Sequence, residues 1–116
     1  MPRRGDVVWV DLEPARGSEA NKRRPAVVVS NDGANASAVK LGRGVITVVP
    51  LTTNVSTIRP FQVFLPAGTG SLRDESKAQA EQVRSVDVAR IGSSIGRVAW
   101  PLMVEIDEAL RVHLAL

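Results

Sequence analysis

The chain has 116 residues, 44% of them hydrophobic and 23% charged, with no cysteine, a single histidine and a net charge of +3. That length and balance predict one globular domain over 1–116 with a modest core, and exclude a disordered chain. Disulfides and thiolate metal sites are excluded, a His-centred triad or histidine metal site is disfavoured, and no run near about 18 apolar residues or signal-like start is present, so a soluble cytoplasmic protein is expected.

Met1–Arg4 reads as a short, frayed basic tail. Val7–Leu12 is too short for a helix and rich in β-branched residues, which predicts a first strand, ended by Pro14. Residues 13–23 then form a long connection with a turn at Gly17-Ser18, and long connections in compact domains tend to carry function. Ala26–Ser30, wholly apolar until its last residue, is the second strand. Asn31-Asp32 can cap a short helical turn over 33–39. Gly42 and Gly44 mark a turn before a third strand, Val45–Leu51, ended by Pro50 and the polar run Thr52-Thr53-Asn54.

Phe61–Leu65, between Pro60 and Pro66, is a fourth strand, and residues 66–74 with Gly68, Gly70 and Ser71 read as a surface loop. Over 77–83, Lys77, Gln79 and Glu81 alternate with Ala78, Ala80 and Gln82, which suits a strand with one face open to a groove. Residues 86–91 suggest one helical turn capped by Ser85, and Ile95–Ala99 a last strand. Pro101 begins the strongest helix, whose stripe of Leu102, Ile106, Leu110 and Leu114, joined by Met103, recurs every four residues. The fold class expected is mainly β (α+β): a small, strongly bent β-barrel or sheet with short helices and a C-terminal α-helix.

The charge is uneven. Residues 1–60 hold nine Lys/Arg against five Asp/Glu, and residues 61–116 six against seven, so the basic excess lies in the first half. An anionic partner such as nucleic acid fits that asymmetry, as does a plain solvated surface.

Several pieces in order match one family: Gly5-Asp6, Trp9-Val10-Asp11-Leu12, Pro14 and Gly17-Ser18-Glu19; Arg24-Pro25-Ala26-Val27-Val28 and Ser30; Pro50-Leu51-Thr52-Thr53; Pro60-Phe61-Gln62-Val63; and Ala80-Glu81-Gln82-Val83-Arg84-Ser85. Together they resemble the MazF/PemK (Kid) toxins of bacterial toxin–antitoxin systems, from Gly5 to the terminal helix. The resemblance implies an SH3-like barrel, a homodimer, and sequence-specific cleavage of single-stranded RNA without a metal or other cofactor. It also implies a cognate, MazE-like antitoxin with an acidic disordered tail.

Such cleavage needs a base for the 2′-hydroxyl, an acid for the leaving oxygen and donors for the phosphate. Arg24 precedes Pro25, which holds its predecessor extended, and a guanidinium fork suits a phosphate. The resemblance makes Arg24 the catalytic arginine and gives Thr52 contact with the scissile phosphate. Thr53 beside it either joins that contact or bonds the strand end. Glu19 takes a proton or holds Arg24. Glu81 corresponds to the acid that one branch uses as general base, while Gln79 stands where that branch has a second arginine. Gln82 suits a base edge, since an amide both donates and accepts. Arg16, Lys22 and Arg23 suit backbone phosphates. Trp9 and Phe61 are expected in the core, and His113 as a partly buried packing residue. Two other readings compete: a toxin of similar fold that inhibits DNA gyrase by binding, and a non-catalytic RNA-binding barrel.

Overall fold

The computed structural model describes residues 2–116; Met1, the first residue of the expected tail, lies outside them. The chain runs β1 (Asp6–Asp11), β2 (Arg23–Val28), α1 (Asp32–Leu41), β3 (Val45–Thr52), β4 (Gln62–Leu65), β5 (Ser76–Gln79), β6 (Arg84–Asp87), β7 (Ile91–Arg97) and α2 (Trp100–Leu114). Short 3-10 turns occupy Thr69–Ser71, Ala80–Gln82 and Val88–Arg90. The ladders are antiparallel and follow the order β4-β5-β3-β2-β1-β7, with β6 also on β3. The mainly β class with a C-terminal helix holds, and the sheet stays open, ending at β4 and β7.

Alternation along the strands divides the core between the two faces of the sheet. On one face Val7, Val27, Val49, Leu51, Val63 and Leu65 pack under α2. On the other, Val8, Val10, Leu12, Ala26, Val28, Ile46 and Val48 meet Ala38 of α1 and Ala20 of the long loop. The loop between β1 and β2 is therefore not a free excursion: Ala20 is buried and closes the second cluster.

Several local expectations are revised. Pro50 does not end β3, which runs on to Thr52. On the side away from β2, pairing with β6 stops at Val48 and pairing with β5 starts at Leu51. A proline, with no N–H to give, is tolerated in that gap. The expected helical turn after Asn31 is a full helix. Asn31 Oδ1 accepts from the Ala34 N–H at 2.8 Å, and Gly42 ends it in the left-handed region at φ 66°. Ser85 is no cap but a β6 residue; Asp87 caps the 88–90 turn by accepting from the Ala89 N–H. The polar alternation over 77–83 forms a strand only to Gln79, and the last strand spans 91–97 rather than 95–99.

The surface loop at 66–74 is largely exposed, as expected, and is also seated on the sheet. Leu72 is buried, a Cβ on Gly70 would lie 2.5 Å from Val7 Cγ2, and one on Gly96 only 2.1 Å from the Gly70 carbonyl oxygen. Two glycines let two backbones touch there. Arg4, expected to fray, is anchored: its N–H donates to Asp32, its Nε–H to the Val29 carbonyl, and its guanidinium pairs with Asp107 of α2.

The buried face of α2 is Met103, Ile106 and Ala109, with Leu102 and Leu110 at its margin. α2 lies over β4 and the 80–82 turn, where Ala78 and Ala80 allow close approach and favour small Ala109. Leu114 lies past that surface and is exposed, as is His113, whose ring rests 6.3 Å from that of Phe61. No helix among the described residues is long and apolar enough to cross a membrane.

Candidate functional site

One end of the sheet gathers the end of β1, the start of β2 and the end of β3. β1 and β2 pair Asp11 with Arg23, Val10 with Arg24 and Trp9 with Pro25. β2 and β3 pair Ala26 with Pro50. Continuing that antiparallel register two residues outward sets Arg24 across from Thr52, and the two-residue alternation puts both on the face that carries Ala26 and Val48. Thr52 is paired in turn with Lys77 of β5. The polar face of β5, legible in the sequence as an alternation, thus continues the row from Arg24 through Thr52 to Lys77.

Arg24 is half-buried, and its guanidinium is held locally. Nε–H donates to the Asn21 carbonyl at 2.8 Å and Nη2–H to Asn21 Oδ1 at 3.0 Å. Among the described residues, Arg16, Lys22, Arg23 and Arg24 form no salt bridge. The loop carboxylates serve the loop backbone instead: Glu19 Oε1 accepts from the Arg16 N–H at 2.8 Å, and Glu13 Oε1 from the Lys22 N–H at 2.6 Å. Four cations therefore stay electrically available on one short segment.

Thr52 and Thr53 border a groove of about 400 Å³, whose walls include Trp9, Pro25, Leu51 and the 71–74 turn. Trp9, expected in the core, is only half-buried, and Arg23 stacks on it at 5.8 Å. Phe61 is half-buried too. A second, polar pocket of about 280 Å³ is lined by Glu19, Glu81, Gln82 and Arg84. Glu19 thus sits with Glu81 and Gln82 rather than bonded to Arg24.

Gln82 Oε1 accepts from the Ala20 N–H and its Nε2–H donates to the Ser18 carbonyl, so the amide fastens the loop. Glu81 Oε2 accepts from Gln62 Nε2–H at 2.7 Å, and Gln62 Oε1 from the Arg59 N–H. One turn thereby ties down both flanking loops. Glu81 Oε1 and Gln79 Oε1 are buried without a hydrogen-bond partner, two acceptors in want of donors. No three His, Asp or Glu side chains among the described residues converge so as to hold a metal ion.

Sequence reasoning missed three residues. Asn21 gave no signal, because only the fold shows Arg24 folding back on it. Lys77 was visible as part of a polar face but not as the neighbour of Thr52. Trp9 looked like a core residue because an aromatic within a strand is more often buried than a stacking surface.

A family model described as the PemK-like, MazF-like toxin of type II toxin–antitoxin systems matches residues 3–114. Endoribonuclease MazF9 of Mycobacterium tuberculosis is 59% identical over 116 residues, covering 100% of this chain and 98% of that protein. Endoribonuclease EndoA of Bacillus subtilis is 31% identical, covering 98% and 95%. Among solved structures, MazF of Deinococcus radiodurans superimposes with a TM-score of 0.82 at 27% identity, covering 99% and 97%. A mycobacterial endoribonuclease in complex with its cognate antitoxin does so at 0.77 and 26%, covering 100% and 97%.

Proposed function

Because this chain belongs to the PemK-like, MazF-like toxins of type II toxin–antitoxin systems, we infer that it is an endoribonuclease toxin that cleaves single-stranded RNA at short sequences. Its cutting of mRNA stops translation and growth, and a cognate antitoxin with an acidic tail neutralises it. The whole chain acts as one nuclease domain, as a homodimer in the cytoplasm. The relatives whose names state an activity are endoribonucleases, and nothing favours the gyrase-binding alternative.

The observation that carries the catalytic reading is the β2–β3 register, which continued two residues past Ala26 and Pro50 sets Arg24 across from Thr52, beside a segment whose four cations form no salt bridge among the described residues. In the reaction, the 2′-oxygen forms a bond to phosphorus as the bond to the leaving 5′-oxygen breaks. The 2′ proton passes to a base and a proton reaches the 5′-oxygen. Arg24 takes the non-bridging phosphate oxygens, where negative charge builds, and Thr52 donates its hydroxyl to the same group. Glu19 and Glu81, sharing one polar pocket, are the two candidate bases. Arg16, Lys22 and Arg23 grip flanking phosphates, with Trp9 a platform for a base. Thr53, Gln79, Glu81 and Gln82 border the path of the RNA, and the buried oxygens of Gln79 and Glu81 that lack a donor mark residues 79–81 as a place where polar groups are left unpaired.

The test is purified protein on a long RNA in EDTA, with cut positions mapped by primer extension. Cuts at a recurring short sequence are expected. Intact RNA, with DNA breaks in a gyrase assay, would overturn the reading.

A further inference from the structure

We propose that Asn21 is the positioning residue of Arg24, an inference that rests on Arg24 being the phosphate-facing group. A guanidinium has a side-on edge, Nε–H with one Nη2–H, and an end-on edge made by one N–H from each of Nη1 and Nη2. Asn21 occupies the side-on edge with two acceptors, its carbonyl and its Oδ1. The end-on edge is left free, and its two parallel N–H groups can take a phosphate bidentately.

Asn21 is itself fixed, although it lies in a solvent-exposed loop. The amide before it, at Ala20, is held by Gln82 Oε1 at 2.8 Å. The amide after it, at Lys22, is held by Glu13 Oε1 at 2.6 Å, with Lys22 in the left-handed region at φ 65°. The Lys22 carbonyl accepts from the Leu12 N–H, and the Glu13 carbonyl from Arg90. One side chain from the start of the same loop, Glu13, and one from far along the chain, Gln82, thus clamp both neighbours of Asn21. The result is a preset orientation for a side chain that would otherwise sample many rotamers, and a held group loses less freedom when the transition state forms. Gln82 contributes to this through its hold on the loop.

The experiment is single-turnover cleavage of an oligonucleotide spanning one mapped cut site, with RNA affinity measured separately. Asn21→Ala is expected to lower the saturating rate about fivefold to tenfold, with affinity within about twofold of wild type and an unchanged melting temperature. Asn21→Asp, which keeps an acceptor at Oδ1, restores the saturating rate to within about twofold. Asn21→Ala cutting at the wild-type rate while Arg24→Ala is inactive overturns the positioning role alone. So does a loss in Asn21→Ala that Asn21→Asp fails to restore. Arg24→Ala cutting at the wild-type rate overturns the catalytic reading and this inference with it.

Discussion

In the proposed reaction, Arg24 and Thr52 divide the work at the phosphate by the chemistry of their donors. The guanidinium carries charge and a planar fork; the hydroxyl offers one neutral donor on a side chain stiffened by β-branching. Thr52→Val keeps the shape and strand preference but removes the donor, so the single-turnover rate should drop about tenfold with little change in stability. In the proposed function, Arg16 and Lys22 act through charge, and Arg23 through charge and its place on Trp9. Replacing Arg16 by Ala should weaken RNA binding evenly across sequences and reduce the slope of log affinity against log salt by about 0.7, measured by titration at several salt concentrations. Arg23→Ala should do the same and lose its stacking on Trp9 as well.

At the scale of elements, the 66–74 turn is held by backbone contact, and a small substitution tests it. Gly96→Ala drives a methyl group into the Gly70 carbonyl, so about 1–3 kcal/mol of stability should be lost in urea unfolding, and the 71–74 wall of the groove should shift. Ile106→Ala, at the fully buried centre of α2, should cost about 2–5 kcal/mol without altering the arrangement at the far end of β2. The strands before residue 53 were legible because their β-branched runs fall between clear turn residues. Where the reading slipped, a tertiary partner decided the outcome. Pro50 lies in a strand because β3 changes partners at that point, and the seat of the 66–74 turn depends on Gly96, far away in sequence. α2 turned its buried face toward Ala109 because the alanines of β5 and the following turn admit it. The site was half legible: Arg24 and Thr52 stood out by motif, whereas the hold of Asn21 and the loop-fastening of Gln82 exist only once the chain is folded.

Across the whole molecule, half of the basic excess of residues 1–60 lies on residues 13–24, the β1–β2 loop and the start of β2, whose carboxylates cap backbone amides instead of neutralising arginines. A surface charged in this way draws in a polyanion and equally an acidic peptide. An antitoxin-derived acidic peptide should therefore compete with RNA for this segment, and displacement of labelled RNA by the peptide should weaken as salt rises. The most direct test of the account is the rate of RNA cleavage by Arg24→Ala beside wild type, in EDTA, with protein saturating. The expected result is discrete cutting by wild type and a loss of at least about 100-fold in the variant, with the RNA still bound. Cutting by Arg24→Ala at the same sites and at a similar rate would contradict it.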